Sequence, residues 1–184
     1  AVQRFPGNLA RLVVGVRTCR IGEDDDLALD MMSQILSGGR TSRLYRRLVP
    51  GDELATMTQA LNETRQDPGV FWLLVELKPG ASREQAEAAV RDEIRTFIAR
   101  GPTSAEMKRA RTQIEAAQQF EQEAVMDVAL KIARFESGVP GGYRSLANLA
   151  ARYRAIDARG VREVAARYFA GDRWNVVWSL PTEE

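Results

Sequence analysis

The sequence predicts an α+β domain, a two-layer sandwich in which helices cover one face of a mainly antiparallel or mixed sheet. Three observations predict this fold: strands with period-two patterns lie near both ends, a turn joins two strands in the first half, and amphipathic helices fill the second half. The 184 residues contain no internal repeat and no flexible linker. Residues 1–184 are therefore predicted to form a single domain, which we interpret as a fragment of a longer chain.

The first predicted strand and helix have the clearest periodic patterns. Residues 11–18 are rich in β-branched side chains and place alternate apolar residues on one face, as a half-buried strand does. Acidic residues 23–26 are expected to cap the next helix, because carboxylates are favourable at the positive end of a helix dipole. An apolar stripe at helical spacing covers residues 27–36. Gly38 and Gly39 are expected to end this helix.

A short helix and a hairpin are predicted next. Ser42 is expected to cap a helix that runs to Val49, before a Pro-Gly-Asp sequence interrupts it. Residues 53–60 and 70–77 are predicted to be antiparallel strands joined across an Asp-Pro-Gly turn. The second of these strands is apolar on both faces. This pattern indicates a strand that is covered on both sides, or one that has a partner on its outer face.

The second half of the chain is predicted to be helical up to a last strand. Two capping-box patterns start its first helices, at Ser82 with Gln85 and at Thr103 with Glu106. The predicted helices, followed by the closing strand, cover residues 82–101, 103–135, 143–155, 157–169 and 174–180. The tryptophans of the closing strand lie on its apolar face and are interpreted as core residues.

Composition excludes several classes of function. With 26 basic and 25 acidic side chains the net charge is +1, which gives no electrostatic argument for binding nucleic acid or anionic membrane. No apolar stretch approaches the 18 or more residues of a membrane span. The chain has no histidine and a single cysteine, Cys19. It therefore offers no disulfide, no histidine-based catalytic group and no ordinary zinc site, and we expect no cofactor in this chain.

Two polar motifs resemble ligand sites but have simpler interpretations. The segment SGGRTSRLYRRLV has the glycines and arginines of an anion site, yet it matches neither a dinucleotide fingerprint nor a P-loop. A helix cap followed by a solvated basic face is favoured instead. Asp24, Asp25 and Asp26 lack the alternating spacing of a calcium loop and are interpreted as caps. No catalytic residue is predicted.

The order of several segments indicates a family. DLALDMMSQILSGGRTSRLYRRLV followed by ELATMTQA resembles the C-terminal domain of the pitrilysin/insulinase zinc metallopeptidases, the inverzincins, which include the mitochondrial processing peptidase. GPTSAEMKRARTQIEA and AIDARGVREVAARYFAGDRWNVVWSLP resemble a helix opening and the closing helix and strand of that domain. The resemblance covers about residues 12–181.

The resemblance implies a non-catalytic domain that closes a peptide-binding chamber. In this family an inverted H-x-x-E-H zinc motif lies on the N-terminal domain. Zinc is therefore expected in that partner domain, on the same or a separate chain, and this chain alone is expected to be inactive. The other implied partner is a peptide substrate. The compartment is not specified: export of many bacterial relatives is consistent with a periplasmic protein, and the cytoplasm is the alternative.

The sequence departs from the family at the residues that hold the peptide. Relatives carry an arginine and, seven residues later, a tyrosine; the matching positions here are Val49 and Thr56. Valine donates no hydrogen bond and threonine is too short to replace tyrosine. Arg46, three residues before Val49, is the candidate substitute donor. Gly38 and Gly39 complete the predicted substrate-binding region.

Two alternative functions are consistent with the same residues. The first is a structural or assembly domain in a catalytically dead peptidase relative. The second is a free-standing module that binds extended peptides along a sheet edge. A domain that packs against a partner is expected to expose an apolar patch, here from residues 70–77 and 103–135. Self-association of the isolated domain is therefore also expected.

Overall fold

The structure, a computed structural model, describes residues 1–171 and 173–182, in which helices pack on one face of a five-stranded sheet. The strands are β1 (Val2–Phe5), β2 (Arg11–Arg17), β3 (Ala55–Glu63), β4 (Val70–Leu77) and β5 (Asn175–Pro181). Their order across the sheet is β1-β5-β2-β4-β3. β1 is parallel to β5 and the other neighbours are antiparallel, so the predicted α+β fold with a mixed sheet is confirmed.

The helices follow the predicted order along the chain. They are α1 (Asp26–Ser37), α2 (Arg43–Arg46), α3 (Arg83–Arg100), α4 (Ser104–Phe120), α5 (Val125–Gly138), α6 (Leu149–Ala155) and α7 (Ala158–Phe169). A π-helical segment, Arg47–Gly51, extends α2, and a 3₁₀ helix, Gly142–Asn148, precedes α6. No helix among the described residues combines the length and hydropathy needed to cross a bilayer.

The core lies between the sheet and the helices. Alternate residues of the two central strands point inward, so β2 buries Leu12, Val14 and Val16, and β4 buries Phe71, Leu73, Val75 and Leu77. The apolar stripes of α1, α3 and α7 cover these residues. Phe71 contacts Phe169 of α7 edge to face, with ring centroids 5.1 Å apart. The period-two and period-3.6 patterns in the sequence therefore meet in one core.

The predicted caps are confirmed in α3 and α4 and wrong in α1 and α2. Thr103 and Glu106 form a complete capping box, and Ser82 accepts a hydrogen bond from the Gln85 amide. Asp25, the residue before α1, makes no side-chain cap bond. Ser42 instead donates to the Gly39 carbonyl at 2.6 Å, which stabilises the turn between α1 and α2. These side chains prefer tertiary or turn partners to the helix amides.

Several elements of the second half and one strand at the N-terminus differ from the sequence prediction. The helix expected to reach residue 135 ends at Phe120, and α5 begins only at Val125. The helix predicted over residues 143–155 is divided into a 3₁₀ helix and α6. The short strand β1 was not predicted, because its four residues are all exposed and show no alternation. Pairing with β5, far along the chain, creates this strand.

Candidate functional site

The face of the sheet that points away from the helices is open to solvent in the described part of the chain. The strand register places on this outer face a set of apolar side chains, namely Val13, Met57, Leu61, Trp72, Leu74 and Val177. Met57, Leu61 and Trp72 count among the exposed large hydrophobic residues. Because no described helix covers the outer face of β4, its apolar residues are available to a partner rather than to a second helical layer.

Trp72 is the most strongly positioned side chain on the outer face. A Cβ atom on Gly15 would lie 3.0 Å from the Trp72 ring, so the indole occupies the space that a side chain on the neighbouring strand would fill. Its Nε1 donates to Glu63 at 2.9 Å, and the residue is still 36% exposed. An aromatic ring held at both ends loses little conformational entropy on binding, which suits a contact surface.

The edge strand β3 is partly closed to strand addition. The Ser37 hydroxyl, at the end of α1, accepts a hydrogen bond from the Ala60 amide at 2.7 Å and donates to its carbonyl at 3.2 Å. These are backbone groups that a peptide would use to extend the sheet. This contact argues against the free-standing module that binds peptides along this edge.

The predicted substrate-binding residues lie in the α2-to-β3 region, where the π-helical segment contacts β3. Arg46 is exposed, and its side chain has no hydrogen-bond or ion-pair partner within residues 1–171 and 173–182. Val49 is half-buried and packs against the core. Thr56 lies at a register shift in β3 and donates to Glu76 Oε1 at 3.1 Å. Of these three side chains, only Arg46 carries a free donor.

Gly38 and Gly39 have structural reasons to be glycine. A Cβ atom on Gly38 would lie 2.5 Å from the Gln34 carbonyl oxygen, and the Gly38 carbonyl accepts from Gln113 of α4 at 2.9 Å. Gly39 has φ of 88°, in the left-handed region that favours glycine. Both residues end α1 as predicted. Contact of either glycine with a substrate stays a prediction.

Arg43 explains the arginine-rich motif after these glycines. It donates from Nε and Nη2 to the Glu106 carboxylate at 2.7 and 2.8 Å, and from Nη2 to the Gly101 carbonyl at 2.9 Å. Its guanidinium also stacks on the Phe97 ring at 4.8 Å. The side chains of Arg43 and Glu106 are only 14% and 15% exposed. The Arg43 side chain therefore joins α2 to the α3–α4 junction and is not available to an anion.

A buried polar network lies on the helix side of β3. The Asn62 Nδ2 donates to Asp26 Oδ1 at 3.0 Å and to Asp30 Oδ1 at 2.9 Å. Thr64 donates its hydroxyl to Asp26 at 2.9 Å, and Tyr153 donates to Asp30 Oδ2 at 2.6 Å. The sequence analysis missed this network. The available signal was the spacing of Asp26 and Asp30, four residues apart on one helix face.

Comparison with known families decides the assignment. A sequence profile described as the peptidase M16 inactive domain matches residues 1–114. The chain belongs to this family. The resemblance to the C-terminal domain of the pitrilysin/insulinase zinc peptidases is thus confirmed, and no curated protein sequence matches the chain at a significant level.

Solved structures share the fold of this M16 inactive domain. A protease from Helicobacter pylori has a TM-score of 0.88 at 23% identity, over 98% of this chain and 43% of that one. The inactive peptidase domain of a predicted zinc protease from Bordetella parapertussis has a TM-score of 0.86 at 22% identity, over 98% of this chain and 97% of that chain. A predicted zinc protease from Bordetella pertussis Tohama I has a TM-score of 0.84 at 22% identity, over 95% of this chain and 96% of that chain. The chain therefore spans less than half of the Helicobacter protein.

The side chains of this M16 inactive domain do not fit a catalytic zinc ion. The chain has no histidine, and the described residues contain no group of three or more His, Cys, Asp or Glu arranged to hold a metal. Burial raises the pKa of the Cys19 thiol to about 12, so this thiol is protonated at neutral pH.

The buried network predicts a pH-dependent stability. Burial and the neighbouring Asp26 carboxylate raise the pKa of Asp30 from 3.8 to about 6. The folded domain then holds the Asp30 proton more tightly than the unfolded chain, so its free energy of unfolding falls as pH rises from about 4 to about 6. We expect Asp30→Asn to abolish this decrease, about 2 kcal/mol between pH 4 and pH 7 as measured by urea unfolding. If the free energy of unfolding of the natural chain and of the Asp30→Asn variant changed with pH in the same way, Asp30 would not be the group that causes the decrease.

Proposed function

We propose that this chain is the C-terminal, non-catalytic domain of an insulinase-type zinc metallopeptidase and closes the peptide-binding chamber beside a zinc-bearing domain. The chain is then one domain of a longer protein, or one chain of a two-chain enzyme. The zinc of the partner would activate water for attack on a peptide carbonyl. This domain would supply a wall that keeps the peptide in place.

The observation that carries the proposal is the bare outer face of the sheet. In a domain of the M16 inactive family, this face presents apolar side chains around Trp72 to solvent. A groove of about 590 Å³ on the same face is lined by residues that include Gly15, Trp72 and Val177. Facing a chamber or a catalytic domain would explain why these apolar side chains stay uncovered. Without its partner, the same face would let two copies associate.

Arg46 is the proposed contact to the substrate. It is exposed, ends α2 just before the π-helical segment that contacts β3, and its side chain has no partner among the described residues. Its guanidinium offers several donors in a rigid fork, which suits a peptide carbonyl or carboxylate. It would perform the role for which relatives use an arginine and a tyrosine, at the positions that Val49 and Thr56 occupy here.

The test is the activity of this chain assembled with its catalytic partner. We expect Arg46→Ala to lower kcat/KM about tenfold or more, since a hydrogen bond to a charged group contributes roughly 1.5–3 kcal/mol. The control is Arg83→Ala, which removes a partly exposed arginine from the first turn of α3 and should leave kcat/KM unchanged. Equal activity of the two variants would show that Arg46 does not contact the substrate.

One observation favours the alternative of an assembly domain in a catalytically dead relative. Neither Val49 nor Thr56 offers a free donor, since the first packs on the core and the second donates to Glu76. The same assembled protein separates the two functions. Peptide hydrolysis that depends on both domains supports the peptidase. A stable complex without hydrolysis supports the assembly domain.

A further inference from the structure

A cavity lies between α1, α4, α5, α6 and the edge strand β3. Its volume is about 440 Å³, within the range of small-molecule sites, and it holds the Asp26–Asp30 network. Helix residues form most of its wall, so it is separate from the groove on the outer face. The proposed chamber function does not use this cavity. An inference about it therefore goes beyond that function and can fail independently.

Asp26 and Asp30 in the cavity form no ion pair with a described residue, although the charge of Arg134 acts on Asp30 from a distance. Neither Asp26 nor Asp30 forms an ion pair with a lysine or arginine anywhere in residues 1–171 and 173–182. The two cations of the cavity wall are already engaged, since Lys131 pairs with Glu121 at 2.8 Å and Arg134 Nη2 donates to the Thr64 carbonyl at 2.9 Å. A buried carboxylate that forms no ion pair is costly, and a cation that entered the cavity would compensate it.

Asn62 shows, independently of the two aspartates, that the cavity lacks a hydrogen-bond donor. It is 8% exposed and lines the cavity, and its Oδ1 accepts no hydrogen bond from any described residue. Leaving a buried acceptor unsatisfied costs about 1–3 kcal/mol. The Asp30 oxygens accept one bond each from Asn62 and Tyr153 and retain further lone pairs. The cavity thus offers acceptors and lacks donors.

The mouth of the cavity is apolar. Leu130 of α5 lines it and is 60% exposed. Ile114 and Ala117 of α4 extend this surface inward. An aliphatic stem could lie along these side chains while a charged end reaches Asp30.

We infer that this cavity binds a single positive charge on a short aliphatic stem, such as the guanidinium of an arginine side chain. The guanidinium carries five N–H donors and no acceptor, so its chemistry matches the acceptors of Asp30 and Asn62. A metal ion fits less well, because the carboxylate oxygens already accept N–H and O–H groups and no cluster of three metal-ligating side chains is found in the described part of the chain.

The charge of Asp30 makes the binding pH-dependent. Since the pKa of Asp30 is raised to about 6, its carboxylate is ionised at pH 7.5 and mostly protonated at pH 5. The other titratable groups of the cavity are Asp26, Glu121, Asp127, Lys131, Arg134 and Tyr153. We therefore expect a cation to bind up to about tenfold more tightly at pH 7.5 than at pH 5.

The test is calorimetric titration of the 184-residue chain with butylguanidinium and with its neutral analogue butylurea. We expect butylguanidinium to bind at pH 7.5, butylurea to bind at least tenfold more weakly, and Asp30→Asn to weaken butylguanidinium at least tenfold. The matched control is Asp92→Asn, which neutralises an exposed carboxylate paired with Arg95 on α3 and should change nothing. If Asp30→Asn does not fold, the pH series and the butylurea comparison on the natural chain test the same point.

Two results would overturn the inference: no binding of butylguanidinium, or equal binding of butylurea. A last titration, with N-acetyl-arginine methylamide, identifies the source of the cation. Tighter binding than that of butylguanidinium indicates an arginine within a peptide, and weaker binding indicates a free small cation. Both outcomes support the cation site.

Discussion

Replacing Arg43 by methionine is expected to lower the free energy of unfolding by about 3 kcal/mol or more. The substitution leaves Glu106 largely buried without its bidentate partner and frees the Gly101 carbonyl. Breaking one side of a buried ion pair typically costs 3–5 kcal/mol. Urea unfolding monitored by circular dichroism measures this loss, with an unchanged slope as the sign that the fold is preserved.

The control for this variant lies on the same helical stretch. Arg47 pairs with Asp52 at 2.7 Å, but the two side chains are 43% and 36% exposed. Exposed pairs contribute about 1 kcal/mol or less, so Arg47→Met should have a small effect. Equal losses for the two variants would show that burial of the Arg43 cluster has no energetic importance.

The Arg43 pair also has a defined response to acid. Although burial opposes it, hydrogen bonds from Arg43 and from the Thr103 amide lower the pKa of Glu106 from 4.5 to about 2. The unfolded chain therefore takes up the Glu106 proton first, and this stabilisation is lost as pH falls from about 4.5 to about 2. This interval lies mostly below the interval from about pH 4 to about pH 6, in which the raised pKa of Asp30 changes the stability.

The second large effect is expected for Phe71→Ala. Phe71 is fully buried on the helix side of β4, where it contacts Phe169. Truncating a buried phenylalanine usually costs 3–5 kcal/mol, because it removes apolar contacts and leaves a cavity. Thermal or urea unfolding should therefore show a strongly destabilised domain.

The next residue along β4 is the matched control. Trp72 points to the outer face, so Trp72→Ala should cost clearly less stability than Phe71→Ala, although it removes the hydrogen bond to Glu63. In an assembled enzyme, Trp72→Ala should instead weaken association with the catalytic domain. Equal destabilisation by the two truncations, with unchanged association, would contradict the division of β4 into a core face and a partner face.

The elements with strong local periodicity could be predicted from the sequence. β2, β4, α1 and α3 have apolar patterns at period two or 3.6 over many residues, and the structure confirms them. β1 could not be predicted, since four exposed residues become a strand only by pairing with β5. The break between α4 and α5 has no glycine or proline to indicate it. Such features depend on tertiary contacts that local propensity does not encode.

The candidate site was predictable only in part. The sequence predicted that substrate-binding residues lie between α2 and β3. It also showed that Val49 and Thr56 stand where relatives carry an arginine and a tyrosine. It assigned Asp26 to a helix cap, whereas the structure places this residue in a network with Asn62 and Thr64. Those partners lie more than 30 residues away in sequence. No spacing rule for a single helix connects them.

The position of Trp72 gives the domain an intrinsic optical reporter. Of its three tryptophans, Trp178 is buried and Trp174 is half-buried beside Phe169, whereas Trp72 is open to water. Indole emission shifts to longer wavelength in water, so the red edge of the fluorescence spectrum belongs mainly to Trp72. A partner or peptide that covers the outer face would shift this emission to the blue and shield it from soluble quenchers. The emission of the two inner tryptophans would not change.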